Sequence, residues 1–206
     1  MDFVEIVTTR YAAKRFDGTP LPAAEVERLL DLIRMAPTAY NLQPWRVVVI
    51  PPGSERAALA EAAWGQAQIE SCSHLLVFCA NTALEELAQR LEERLLAGGA
   101  PAESAADFAA MARGWIAGLG EGRLAWAQRQ TYLALGNGLN GARSLGFDAC
   151  PMEGFRPAAY AELLGLPETL VPCALLALGR ATDAPRPKLR FRRDELFLSA
   201  PAAALA

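Results

Sequence analysis

The chain has 206 residues, 52% of them hydrophobic and 21% charged, with a formal net charge of −3. That length and mixture bury a sizeable core in one domain and exclude a disordered chain. The slight acidity argues against general nucleic-acid binding, and the longest apolar run, about His74–Ala80, falls far short of the roughly 20 residues that span a bilayer.

Asp2–Arg10 reads as a short helix with Phe3, Ile6 and Val7 on one face. Arg10-Tyr11-Ala12-Ala13-Lys14-Arg15-Phe16 follows, and Arg10 and Lys14 share a face if that helix continues. Asp17-Gly18 is a turn. Leu21–Met35 is an amphipathic helix, with Val26, Leu29, Leu30 and Ile33 at helical spacing. Pro37 stops it, and Pro44 is expected to hold Gln43 extended before the buried strand Arg46–Ile50. Thr38, Tyr40, Asn41 and Gln43 are thus pinned between helix and strand. They form either an ordinary connection or a rigid platform offering amide groups to a planar ligand.

Ser54–Trp64 is an alanine-rich helix, and Gly65-Gln66-Ala67-Gln68 an amide-rich break. Leu75–Cys79 is a second buried strand. Thr82-Ala83-Leu84-Glu85 has capping-box form and opens a helix with Leu84, Leu87, Leu91 and Leu95 inward. Gly98–Pro101 is a loop, and Ala102–Ala117 a helix containing Trp115. Leu124–Leu145 is the longest helix. It has no formal charge between Arg129 and Arg143, which implies burial on nearly all sides. Phe147–Cys150 is a strand that runs into the turn Pro151–Phe155. Pro157 suits the first turn of a helix and Gly165 its end. Val171–Leu178 is the last strand, and Pro185–Arg193 is extended and basic.

Gly136-Asn137-Gly138-Leu139-Asn140-Gly141 fits Gly-x-Gly-x-x-Gly, but that fingerprint has meaning only after a strand. Helical sequence precedes it here. Three glycines inside a helix cost roughly 3 kcal/mol, and close packing against a partner helix is the compensating reason. A Rossmann dehydrogenase is therefore the weaker alternative. Cys72, Cys79, Cys150 and Cys173 lack Cys-x-x-Cys spacing and read as buried thiols in a reducing, cytoplasmic setting. Asp2 and Glu5 leave no apolar stretch for a signal peptide. His74, the one histidine, leaves no nitrogen-rich metal site, and no Gly-x-Ser-x-Gly elbow accompanies it.

Cations gather at both ends: Arg10, Lys14 and Arg15, then Arg186, Lys188, Arg190, Arg192 and Arg193. Lys188 and Arg190 alternate onto one side of an extended segment. Should the two ends meet, they cage one phosphate through charge-assisted hydrogen bonds.

Arg10–Phe16, Ala36–Trp45, Pro151–Phe155 and Pro187–Arg190 occur in that order. With them the chain resembles the FMN-dependent nitroreductase family, closest to the oxygen-insensitive NAD(P)H nitroreductase and dihydropteridine reductase branch, from about residue 2 to residue 193. The resemblance implies an α+β fold. Its form is a three-layer sandwich with a central mixed sheet flanked by helices, in one domain over 1–206. The arm 186–206 would contact the partner of an intertwined homodimer, with FMN at the interface. Arg10, Lys188 and Arg190 would bind the phosphate, with Tyr11 and Ala12 beside them. Pro37, Thr38, Ala39 and Asn41 would come from the partner. Gln66 or Gln68 would reach the pyrimidine edge, and Pro151, Met152, Glu153 and Gly154 would line the ring. Lys14, Glu153 and Gly154 would tune the flavin, with no side chain acting as nucleophile or base. Ala12 stands where many relatives have serine, and the glutamines stand where the branch has asparagine and lysine. The helix around Met111 and Trp115 would cap the substrate pocket.

The implied activity is hydride transfer from NAD(P)H through FMN to nitroaromatics, quinones or related acceptors, in ping-pong fashion. The alternative is a flavin-binding member of the family with a specialised substrate or low reductase activity. No metal, nucleic acid or membrane is expected as a partner.

Overall fold

The computed structural model describes residues 1–53 and 55–200. Its sheet has four strands: β1 (Trp45–Ile50), β2 (His74–Asn81), β3 (Asp148–Met152) and β4 (Leu170–Gly179). Their order is β1-β2-β4-β3. Registers run Val48↔Val77, Val77↔Leu175 and Cys150↔Ala177, with an irregularity between Phe78 and Cys79. All three pairings are antiparallel. The mixed sheet expected from the resemblance is met only by an isolated parallel bridge, Ala12 to Ala149, where the N-terminal segment lies along β3.

An antiparallel sheet usually alternates apolar and polar residues because one face meets water. Here Leu75 to Ala80 are all fully buried, because helices cover both faces. Leu75, Val77 and Cys79 point one way, into a core with α3 (Glu55–Glu61), α4 (Ala67–Ser71) and α8 (Pro157–Leu163). Leu76 and Phe78 point the other way, against α2 (Ala23–Arg34) and α7 (Arg123–Ser144). A third cluster joins α5 (Leu84–Ala97), α6 (Ala102–Gly118) and the start of α7 around Trp126. This is the expected three-layer α+β sandwich. Ser54, the expected start of α3, lies outside the described residues.

The glycines of α7 pack within the chain. A Cβ on Gly138 would stand 3.1 Å from Leu176 and 3.4 Å from Ile33, and one on Gly141 3.0 Å from Leu29, while Gly136 would meet nothing within 4 Å. Gly138 and Gly141 therefore seat α2 and β4 of the same protomer, and the motif lies mid-helix, where no dinucleotide loop can form. Nor is α7 buried all round: Tyr132 and Leu133 stand on an exposed apolar strip, and Leu124 is exposed on another side of the helix.

Three further expectations are corrected. Helix α1 (Phe3–Thr9) ends before Arg10, whose ψ is 145°, because the next residues are drawn into bridges, Ala12 with Ala149 and Phe16 with Ala181. Arg10 and Lys14 therefore share no helical face. The capping box at Thr82 does not form. Asn81 Oδ1 accepts from Ala83 N–H at 3.0 Å, the Thr82 hydroxyl donates to the Thr169 carbonyl at 3.2 Å, and Glu85 pairs with Arg123. Gln43 is not extended: its φ is +47°, because its N–H bonds the Thr38 hydroxyl at 3.0 Å and its carbonyl accepts from Trp45 N–H at 2.7 Å. The four cysteines are free thiols. His74 opens β2 with Nδ1 2.8 Å from the Ser73 hydroxyl. Among the described residues no helix is long and apolar enough to cross a membrane, and no cluster of His, Cys, Asp and Glu could hold a metal.

Candidate functional site

The two ends of the chain meet. Asp183 Oδ1 accepts from the N–H groups of Lys14 (3.0 Å) and Arg15 (3.1 Å), and Tyr11 donates its hydroxyl to the Asp183 carbonyl at 2.6 Å. Backbone bonds from Asp17 to Arg180 and from Thr182 to Arg15, each 3.0 Å, complete the clasp. Lys188 Nζ then donates to the Arg10 carbonyl. Slight burial, and after it the nearby Arg10 and Arg190 charges, push the Lys188 ammonium below its usual range. Three like charges thus stand close together, an arrangement able to receive an anion. Ala12, half-buried on its bridge to Ala149, supplies backbone only.

Beside this cage lies β3. Lys14 Nζ is 3.7 Å from Cys150 Sγ, and the buried Gln68 amide approaches the same sulfur at 4.0 Å. Gln66 is already committed: its Nε2 donates to the carbonyls of Gly154 (2.6 Å) and Ala63 (3.1 Å). Glu153 accepts the Tyr132 hydroxyl at 2.5 Å. Among the described residues the N–H groups of Glu153 and Gly154 have no protein acceptor. Pro151 is half-buried, and the Met152 side chain is buried in the core, so Met152 offers only main chain. Trp64, exposed at a left-handed φ of +57°, stands 3.5 Å from where a Cβ on Gly154 would be.

The platform lies elsewhere. Tyr40, Asn41 and Gln43 all adopt left-handed φ values, +54°, +51° and +47°, at roughly 1–2 kcal/mol each. Several contacts hold this strain in place. Ala39 N–H donates to Gln130 Oε1 at 2.9 Å, the Tyr40 ring rests on Phe108 and Trp115 of α6, and Leu42 is buried beside α5. Pro37, Ala39 and Asn41 remain exposed and Thr38 half-exposed. The cage, in contrast, adjoins the far end of α7, where Arg143 donates to the Thr9 hydroxyl at 3.2 Å. From Gln130 to Arg143 is 13 residues, or about 20 Å along the helix axis. One protomer therefore presents its platform and its cage well apart along α7.

The sequence profile of the nitroreductase family matches residues 7–180. The chain belongs to the nitroreductase family. It is 34% identical over 189 residues to a Thermus thermophilus protein named NADH dehydrogenase, covering 92% of this chain and 91% of that one. It is 32% identical over 182 residues to the oxygen-insensitive NAD(P)H nitroreductase of Enterobacter cloacae, covering 82% and 83%. A putative nitroreductase of Exiguobacterium sibiricum, solved in complex with FMN, superposes with a TM-score of 0.88 at 25% identity, over 97% of this chain and 98% of that one. The profile match stops short of Lys188 and Arg190.

Reading the sequence missed Asp183, Gln130, Tyr132 and Trp64. Each is a single residue with a partner far away in the chain, and no periodicity marks such a pair.

Proposed function

We propose that this nitroreductase-family protein is an FMN-dependent oxidoreductase that passes hydride equivalents from NAD(P)H to a small nitroaromatic, quinone or related acceptor in two successive half-reactions. The observation that carries this reading is the span of β3, with the Arg10, Lys188 and Arg190 cations beside its first residues and the Glu153 and Gly154 amide donors just past its last, roughly 17 Å on. The residues fit the cofactor. The cage suits a phosphate dianion, and Glu153 and Gly154 hold two unspent N–H groups. Gly154 has no side chain to obstruct close approach. The carbonyl of the Gln68 amide accepts no hydrogen bond among the described residues, so Gln68, with Gln66 spent on Gly154, is the glutamine for the pyrimidine edge.

When bound, FMN supplies the hydride acceptor and donor. Lys14 places a fixed cation where negative charge gathers on reduction. Tyr40 and Trp115 form an aromatic wall beside the platform, suited to planar acceptors.

A single protomer is incomplete for this work, and we infer a homodimer. Phe3 and Val4 on α1 and the strip on α7 leave apolar surface uncovered. The arm does so more plainly: Leu189 is 86%, Phe191 75% and Leu198 90% exposed. A cleft of about 700 Å³ between the platform and α5 is lined by Arg34, Arg46, Arg90 and Arg94 over Leu87 and Leu91, with Asn41 at its edge. Burial, and then the Arg90 charge, lower the Arg46 pKa. The arm carries Phe191, Phe197 and Leu198, a match for the apolar floor of the cleft, while its Asp194 and Glu195 are held by Arg192. Seating the arm of one copy in the cleft of the other draws its Lys188 and Arg190 towards the second copy's Asn41. The free thiols fit a cytoplasmic location.

The test is colour. Purified protein supplied with FMN is expected to be yellow, and its flavin band to bleach on NAD(P)H and recover on adding a quinone or nitroarene. Protein that neither retains FMN nor consumes NAD(P)H would end this reading.

A further inference from the structure

Tyr132 has no role in the reading above, yet it touches one of the site's central residues. It lies on the exposed strip of α7, 39% accessible, and its hydroxyl is 2.5 Å from Glu153 Oε1 and 3.4 Å from the Cys173 carbonyl. A phenol has one proton to donate. The short contact to a carboxylate takes it, because a charge-assisted bond is about twice as strong as a neutral one. The Tyr132 pKa is raised by burial first and then by the Glu153 hydrogen bond and charge, so the phenol keeps its proton.

Glu153 begins the turn that leaves β3. Its carbonyl accepts from Phe155 N–H at 3.0 Å, and the next carbonyl, that of Gly154, accepts Gln66 Nε2 at 2.6 Å. Both carbonyls of the turn are therefore spoken for, and neither amide has an acceptor among the described residues. The Tyr132 bond adds a third tie, on the Glu153 side chain, between a loop and the longest helix of the fold. Without it, the carboxylate is an exposed anion able to swing beside a ring that gains negative charge on reduction.

We propose that Tyr132 is a positioning residue: by holding the Glu153 carboxylate against α7 it keeps that charge off the flavin. This rests on the FMN reading. Tyr132→Phe removes one hydroxyl from a partly exposed ring and is expected to leave the melting temperature of the apoprotein within about 2 °C. Bound FMN is expected to become harder to reduce by about tenfold in the two-electron equilibrium, about 30 mV, and FMN to bind several-fold more weakly. In a Glu153→Gln background, where no charge can stray, adding Tyr132→Phe is expected to leave the potential unchanged.

An equal fall in potential in both backgrounds would show that Tyr132 acts through the packing of α7 and would overturn the proposal. So would an unchanged potential in Tyr132→Phe, or a large loss of apoprotein stability. Failure of the wild-type protein to bind FMN would instead count against the functional reading itself.

Discussion

The cage makes a prediction that separates neighbouring arginines. Arg190 and Arg193 are both exposed cations near the C-terminus. Arg190 stands close enough to Lys188 to disfavour its charge, whereas Arg193 lies over the Phe197 ring, 5.3 Å from its centroid. A hydrogen bond to a charged group contributes about 1.5–3 kcal/mol, and solvent screening at an exposed site favours the low end. Arg190→Ala is therefore expected to weaken FMN binding by roughly tenfold, and Arg193→Ala by less than about threefold. Quenching of flavin fluorescence on titration into apoprotein measures both. The difference should shrink as salt rises from 50 mM to 500 mM, because screening weakens an exposed ion pair. Equal losses for the two variants, or a loss independent of salt, would refute the placement of the phosphate.

Gly154→Ala should weaken FMN binding without unfolding the protein, because the new Cβ would lie 3.1 Å from Gln66 Nε2 and displace the amide that fixes the turn; equilibrium titration beside a thermal melt checks both halves. Arg56 is 5% exposed and donates to the carbonyls of Ile50, Cys72 and Ser73. Arg56→Ala orphans them and should cost about 3 kcal/mol or more, a fall of at least 6 °C in melting temperature; an unchanged melt would show those bonds to be worth little. Burial pushes the Cys79 thiol up to about 12 and Cys173 to about 11, and raises Cys72 and Cys150. Burial and raised pKa together keep thiolate scarce, so folded protein at pH 8 should react slowly with a thiol reagent, and denatured protein should react at four sites. Phe191→Ala with Phe197→Ala removes exposed apolar surface from the arm and should push the dimer toward monomer in light scattering; no effect would place the arm elsewhere.

Much of the fold was legible because its signals are local. Leu75–Cys79 and Val171–Leu178 are apolar throughout because helices cover both sheet faces, and Val26, Leu29 and Ile33 mark the buried stripe of α2. What failed depended on distant partners. The N-terminal helix stops at Thr9 because β3 captures the next residues. Thr82 gives up its cap because the helix starts one residue later, after Ala83, and the Thr82 hydroxyl turns to the distant Thr169 carbonyl. Gln43 turns left-handed because the Thr38 hydroxyl, five residues earlier, takes its N–H. The exposed strip of α7 was read as buried because sequence records apolarity but not which chain covers it. For the site, the cations and the platform were visible as residue types. The clasp at Asp183 that joins the ends was not, because one aspartate in a loop carries no pattern.

In the proposed dimer each FMN is held by the cage of one protomer and the platform of the other. Two differently tagged variants can decide it, one with Lys188→Ala and Arg190→Ala, the other with Thr38→Ala and Asn41→Ala, each homodimer being unable to retain FMN. In the mixed dimer, purified by both tags, the intact cage of one chain faces the intact platform of the other, and one FMN per dimer is expected. A mixed dimer that binds no FMN would show that each chain builds its site alone.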